Sequence, residues 1–125
     1  MPTVILLLED EEEQRNLLGA VLEGEGYQVI GAETAEQALE KLEKRRPDII
    51  LADIKLPKMD GLEFFHEVKK RTQLKNVPFI FVTAFGDPTA IEEVVKLGAT
   101  YITKPYQIEG LLAAVKSAAS APKAE

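Results

Sequence analysis

Short apolar segments alternate along this chain with longer segments in which apolar residues recur every three or four positions. Short apolar runs between polar residues predict β-strands, and the longer recurrence predicts amphipathic helices. The five predicted strands are Val4–Leu8, Tyr27–Ile30, Ile49–Ala52, Phe79–Val82 and Tyr101–Ile102. Alternation of strand and helix is typical of a parallel sheet with right-handed crossovers and helices on both faces.

The helical segments carry signals on their faces and at their ends. A capping box at Thr34–Gln37 predicts the start of the second helix. The fourth helix is predicted to start at Asp87-Pro88 and to end at Gly98 in a left-handed cap. The predicted inner faces are Leu17, Leu18, Val21 and Leu22 in the first helix, Ala35, Ala38, Leu39 and Leu42 in the second, Leu62, Phe64, Phe65 and Val68 in the third, and Ile108, Leu111, Leu112 and Val115 in the fifth.

Strand composition predicts the order of the sheet. The first, third and fourth strands are apolar on both alternating faces, which is typical of central strands buried between two helical layers. Gln28 lies in the second strand, and Thr100 and Thr103 flank the fifth, so these two strands are predicted to be edges. The result is the order 2-1-3-4-5 of a flavodoxin-like α/β fold, doubly wound, with five helices. Ligands of such sheets bind at the carboxyl ends of the strands.

Composition and charge narrow the classes of function. The 125 residues suit one domain, predicted to span residues 1–118, with 119–125 as a disordered tail or the start of a linker. The absence of cysteine excludes disulfides, thiolate zinc sites and a cysteine nucleophile. A net charge of −6 argues against non-specific binding of nucleic acid. No apolar run reaches the about 18 residues of a membrane helix, and a cytoplasmic location fits these features.

Polar residues follow the predicted strands at one edge of the sheet. They are Glu9 and Asp10 after the first strand, Asp53 after the third, Thr83 and Ala84 after the fourth, and Lys104-Pro105 after the fifth. Three carboxylates repel one another unless a cation compensates them, and an all-oxygen ligand set suits Mg²⁺. A carboxylate can also attack phosphorus, with the metal, a hydroxyl and an ammonium group neutralising the phosphoryl oxygens. This edge is therefore a candidate phosphoryl-transfer site.

Four motifs in this order resemble the receiver domain of two-component response regulators: LLLEDEEEQRNLL, DIILADIKLPKMDGLEF, FVTA and GATYITKPY. The resemblance implies that Asp53 is the phospho-acceptor. It also implies that Asp10, Asp53 and the backbone carbonyl of Lys55 coordinate Mg²⁺, for which Mn²⁺ can substitute. Glu9, where the family more often has aspartate, would act through a metal-bound water.

The same resemblance implies roles for residues on the last two strands. Thr83, Ala84 and Lys104 would contact the phosphoryl group, and Thr83 and Tyr101 would form the switch. The Lys104-Pro105 bond would be a cis peptide. The family is made of signalling domains rather than enzymes, with self-directed phosphotransfer and slow autodephosphorylation.

The partners implied by the resemblance are proteins. A histidine kinase or a histidine phosphotransfer protein would donate the phosphoryl group, because His66, the chain's only histidine, is predicted to be a surface residue outside any suitable motif. A downstream protein or effector domain would contact the fourth helix, fifth strand and fifth helix. A phosphorylation-dependent homodimer is a further expected partner. Neither nucleic acid nor membrane is an expected partner of this domain.

Two other functions share parts of the pattern. A phosphatase of the haloacid dehalogenase type also uses an aspartate nucleophile and Mg²⁺, but needs a second aspartate two residues later as general acid and base, where this chain has Lys55. A flavodoxin-like FMN-binding protein needs a first loop whose main-chain amides face a phosphate. Here residues 9–13 are all acidic and would repel one.

Overall fold

Strands and helices alternate throughout the part of the chain that the computed structural model describes, residues 2–56, 58–84 and 88–120. These elements are β1 (Val4–Leu8), α1 (Glu12–Gly24), β2 (Gln28–Ala32), α2 (Ala35–Lys44), β3 (Ile49–Asp53), α3 (Gly61–Lys69), β4 (Phe79–Ala84), α4 (Pro88–Lys96), β5 (Thr100–Lys104) and α5 (Ile108–Ser120), with a short 3-10 helix at Thr72–Leu74. The strands form one parallel sheet in the order β2-β1-β3-β4-β5. The predicted flavodoxin-like fold and both predicted edge strands are confirmed.

Helices cover both faces of the sheet. Every residue of β1 and β3 is buried, because alternate side chains along these strands enter two separate apolar clusters. One cluster lies between the sheet and α2, α3 and α4, and includes Phe64 and Val94. The other lies between the sheet and α1 and α5, and includes Leu22 and Leu111. The double-sided apolar pattern therefore marks the central strands.

The predicted inner face of α1 is wrong at one position. Leu18 and Leu22 are buried, but Leu17 is 56% exposed. Consecutive residues point about 100° apart on a helix, so an apolar stripe that includes both Leu17 and Leu18 is wider than the strip that contacts the sheet. Leu17 lies instead at the side of α1 that borders Tyr106 and Ile108.

The helix ends follow most of the predicted signals. The Gln37 N–H donates to Thr34 Oγ1 at 3.0 Å, while Gln37 Oε1 accepts from the Glu33 N–H rather than from that of Thr34. Gly98 has φ +74°, as a left-handed cap requires. The predicted N-cap of α4, Asp87, lies outside the described residues.

The last helix is longer than the sequence predicts. It continues through Ser120, so residues 119 and 120 of the predicted tail are helical, and residues 121–125 lie outside the described part of the chain. Among the described residues, no helix has the length and apolar character needed to cross a membrane.

Candidate functional site

Three carboxylates lie together at the carboxyl end of the sheet. Glu9 and Asp10 follow β1, and Asp53 ends β3, which pairs with β1 up to Leu8 and Ala52. The adjacent strands therefore deliver these side chains to one place. One oxygen of each carboxylate lies within 4.8 Å of the others. Mg²⁺ takes oxygen ligands at about 2.1 Å, so three carboxylate oxygens gathered at this end of the sheet form a candidate site for that ion.

Asp53 is buried but has two hydrogen-bond donors. Lys104 Nζ donates to Asp53 Oδ2 at 2.8 Å, and the main-chain N–H of Lys55 donates to Oδ1 at 3.3 Å. A buried carboxylate is strongly destabilising unless it is paired and hydrogen-bonded. Asp53 therefore belongs to a polar site in which both of its carboxylate oxygens have donors. It is more than an ordinary aspartate at the point where an apolar strand reaches the surface.

Lys104 balances the cluster electrostatically. Its Nζ also lies 3.7 Å from Glu9 Oε1. Partial burial lowers the pKa of Lys104, but the hydrogen bond from Lys104 to Asp53 and the negative charges of Asp53, Glu9 and Glu11 together outweigh it and raise the pKa above its ordinary value. The lysine is therefore a fixed cation between two carboxylates.

Glu9 is the most buried of the three acids, at 4% exposure. Burial raises its pKa above the ordinary value, and the neighbouring Asp10 and Asp53 raise it further, against the opposing effects of the Glu11 N–H and Lys104. The Glu11 N–H donates to Glu9 Oε2 at 3.2 Å. Glu9 therefore holds a proton more strongly than an ordinary glutamate does, and a divalent cation bound by the cluster would compete with that proton.

The other predicted site residues lie on β4 and β5 or directly after β3. Thr83 is buried and follows Val82, the residue that pairs with Asp53. The main chain of Ala84 pairs with that of Lys104, and the Lys104–Pro105 peptide bond is cis. Lys55 is exposed, and only its main-chain N–H contacts Asp53. Tyr101 lies on β5 three residues before Lys104, is exposed, and pairs with Phe81.

Gly61, at the start of α3, supports the site in a way that the sequence motifs did not predict. A Cβ at this position would lie 2.4 Å from the Asp53 carbonyl oxygen and 2.8 Å from Ile54 Cα. The Gly61 N–H instead donates to the Ile54 carbonyl at 2.7 Å. Asp60 and Glu63 form a reciprocal capping box that fixes this helix end. Only glycine lets α3 pack directly on the chain that follows Asp53, and the pair Asp60-Gly61 was the available signal.

Similarity to known proteins agrees with this geometry. The sequence model of the response regulator receiver domain matches residues 5–116. Sporulation initiation phosphotransferase F of Bacillus subtilis is 40% identical over 113 residues, 90% of each protein. The polar-differentiation response regulator DivK of Brucella anthropi is 35% identical over 122 residues, covering 94% of this chain and 96% of DivK. The structure of the chemotaxis protein CheY4 of Vibrio cholerae superposes with a TM-score of 0.87 at 30% identity, covering 94% of this chain and 99% of CheY4. The chain therefore belongs to the response regulator receiver domain family and is a phosphorylatable receiver domain of two-component signalling.

Proposed function

We propose that Asp53 accepts a phosphoryl group from a phosphohistidine of a partner protein in a Mg²⁺-dependent reaction, and that phosphorylation changes the surface formed by α4, β5 and α5. One observation carries this proposal. Asp53 is held 2.8 Å from Lys104 inside a cluster of three carboxylates at the carboxyl end of the sheet. Such a site combines a nucleophilic oxygen with groups that neutralise phosphoryl oxygens.

Each residue of the cluster has a role in this reaction. An oxygen of Asp53 forms a bond to phosphorus while the bond between phosphorus and the donor imidazole breaks, and the electron pair of that bond stays on the imidazole. Asp10, Asp53 and the main-chain carbonyl of Lys55 would hold Mg²⁺, with Glu9 next to it, and Mn²⁺ could replace it. The bound ion supplies positive charge to the phosphoryl oxygens. Lys104, the Thr83 hydroxyl and the main-chain N–H of Ala84 would hold those oxygens in place.

The phosphoryl donor would be a histidine kinase or a histidine phosphotransfer protein docked beside Lys104. A groove of about 610 Å³ borders the site there, lined by Glu11, Gln14, Leu17, Lys104, Pro105, Tyr106 and Ile108. The exposure of Leu17 makes this groove partly apolar. A protein that covers it would bring an imidazole to Asp53 and exclude water from the reacting groups.

The output surface would lie on the other side of β5. Val95 on α4 is 59% exposed and Tyr101 on β5 is 39% exposed, so this face offers apolar contacts to a downstream protein, an effector domain or a second copy. Thr83 lies on β4 beside β5 and could link the phosphoryl group to Tyr101. The carboxyl ends of β4 and β5 would have two conformations, and the phosphoryl group would favour one of them. This change of conformation would be the switch.

The proposal also explains why the acyl phosphate would act as a signal. Lys55 lies two residues after Asp53, where a phosphatase of the haloacid dehalogenase type needs a carboxylate as general base, and its side chain offers no carboxylate to activate water. We therefore infer self-directed phosphotransfer followed by slow autodephosphorylation, in place of the rapid turnover of a phosphatase.

Treatment with a small-molecule phosphodonor in Mg²⁺ tests the proposal. Mass spectrometry should detect one added phosphoryl group, labile to hydroxylamine as an acyl phosphate, on the parent protein and not on Asp53→Asn. Asp48→Asn is the matched control, because Asp48 precedes the opposite end of the same strand and its Oδ2 accepts from the Val4 N–H. Phosphorylation of Asp53→Asn to the same extent would show that another residue is the acceptor.

A further inference from the structure

The carbonyl that follows β1 is held by a side chain outside the charged cluster. Arg15 lies in the first turn and a half of α1, and its Nη1 donates to the main-chain oxygen of Glu9 at 2.8 Å. β1 ends at Leu8, so this carbonyl lies one residue beyond the strand. A buried carbonyl strongly requires a donor, and Arg15 supplies it where the strand ends.

Two contacts with β2 hold this arrangement in place. The Glu9 N–H donates to the Ala32 carbonyl at 3.1 Å, so both main-chain polar groups of Glu9 are bonded. The aliphatic stem of Arg15 lies over Gly31, where an added Cβ would be 3.5 Å from Arg15 Cδ and 3.8 Å from Cγ. A Cβ at Gly31 would therefore be in ordinary van der Waals contact with the stem, so alanine fits there, whereas the methyl groups of a β-branched side chain would press on the stem.

We propose that Arg15 is a positioning residue for the cation site. The Glu9 carbonyl belongs to the peptide unit that joins Glu9 to Asp10, so the bond from Arg15 sets the orientation of the peptide from which both carboxylates project. This inference rests on the proposed function, because it assigns Mg²⁺ to that cluster. Groups that orient metal ligands through hydrogen bonds typically raise metal affinity by about 10- to 100-fold.

Positioning and simple charge make opposite predictions for Arg15. Its guanidinium is a permanent cation near the site and by charge alone repels Mg²⁺, so its removal would tighten Mg²⁺ binding. If Arg15 acts by orienting the Glu9–Asp10 peptide, its removal weakens Mg²⁺ binding. The sign of the change in the dissociation constant therefore distinguishes the two.

The test compares Mg²⁺ affinity, measured by isothermal titration calorimetry, in Arg15→Met, Arg15→Lys and Arg71→Met. Methionine keeps much of the stem and removes the donors, whereas lysine keeps the charge. Arg71 is the matched control, because its Nη1 donates to the Glu67 carbonyl at 2.9 Å at the end of α3 remote from Asp60. We expect the Mg²⁺ dissociation constant to rise about tenfold in Arg15→Met and less in Arg15→Lys, with no rise in Arg71→Met.

A second variant disturbs the Arg15 side chain by a substitution in β2. Gly31→Val suits an edge strand by its β-propensity but places methyl groups against the arginine stem. It should raise the Mg²⁺ dissociation constant in the same direction as Arg15→Met, and the amide resonance of Asp10 should shift in the metal-free protein in both variants.

The outcomes separate this inference from the proposed function. If the parent protein binds no Mg²⁺, the proposed function fails and the positioning role fails with it. If the parent protein binds Mg²⁺ and Arg15→Met binds it equally well or more tightly, the positioning role alone is overturned. An equal loss of affinity in Arg71→Met would trace the effect to general stability and would also overturn it.

Discussion

Lys104 Nζ lies 2.8 Å from Asp53 Oδ2, joining residues 51 positions apart in the chain. It is the cation that makes a buried aspartate compatible with the neighbouring Glu9 and Asp10 in the metal-free protein.

Lys104→Met should destabilise the metal-free protein by about 1 kcal/mol, because Asp53 loses its ion pair while the lysine is partly exposed to solvent screening. Urea unfolding measures this free energy, and the stabilisation by Mg²⁺ should be preserved because the carboxylates remain. Lys70→Met is the control, since Lys70 pairs with Glu67 at the same 2.8 Å on the exposed surface. Equal effects of the two substitutions would contradict a special role for the Lys104–Asp53 pair.

Mg²⁺ should stabilise the folded parent protein by about 2.7 kcal/mol at a hundred times its dissociation constant, because the unfolded chain does not assemble the three carboxylates. Asp53→Ala should lose most of this response. Thermal unfolding with and without MgCl₂, at ionic strength matched with NaCl, measures it. Parent melting curves that coincide in the two salts would argue against a cation site at Glu9, Asp10 and Asp53.

The pH dependence of stability should report on Glu9. Because its folded pKa is raised above the ordinary value of 4.5, the folded state holds a proton that the unfolded state releases as pH rises. The contribution of Glu9 to stability is therefore present at pH below 4.5 and is lost as pH rises through the folded pKa. The free energy of unfolding of the parent protein should therefore fall relative to that of Glu9→Gln as pH rises from 4.5 through the folded pKa. Saturating Mg²⁺ should make this fall smaller. A difference that grows with pH would contradict the raised pKa.

Thr83→Ala should still accept a phosphoryl group on Asp53, but phosphorylation should change the environment of Tyr101 less than it does in the parent protein. In the proposed switch, the Thr83 hydroxyl moves towards the phosphoryl oxygens, and this movement of β4 changes the neighbouring strand β5. The measurement is the change in the Tyr101 resonances on phosphorylation. Thr103→Ala is a matched control, because Thr103 pairs with Thr83 across the two strands. If Thr83→Ala leaves the Tyr101 response intact, the switch does not pass through this hydroxyl.

Lys55→Asn should shorten the lifetime of the phosphorylated protein by about fivefold, equivalent to one screened interaction of roughly 1 kcal/mol. The exposed lysine side chain projects from the residue whose N–H contacts Asp53, so it can pair with phosphoryl oxygens and obstruct the approach of water. Decay of the phosphoryl group after removal of the donor, at saturating Mg²⁺, gives the lifetime. Lys58→Asn, the same change three residues further on, should have little effect. Equal or slower decay in Lys55→Asn would show that Lys55 does not shield the phosphoryl group.

Much of the fold and the location of the site followed from local pattern. β1 and β3 are apolar on both faces, which predicts central strands, whereas Gln28 and Thr100 mark edges. Because parallel strands end at one edge of a sheet, the residues after the strands could be placed together before any distance was measured. Glu9, Asp10, Asp53 and Lys104 do lie together at that edge.

Other features depend on how the helices and strands pack against one another. Local sequence patterns do not encode this packing, so only the tertiary structure shows these features. The exposure of Leu17 depends on the rotation of α1 against the sheet, and the need for glycine at Gly61 depends on the closeness of α3 to Asp53. The bond from Arg15 to the Glu9 carbonyl exists because β1 ends where α1 passes over Gly31. Side-chain types and their order along the chain were therefore enough to predict which groups gather at the site. Their partners and distances were set only when strand register and helix packing brought distant residues into contact.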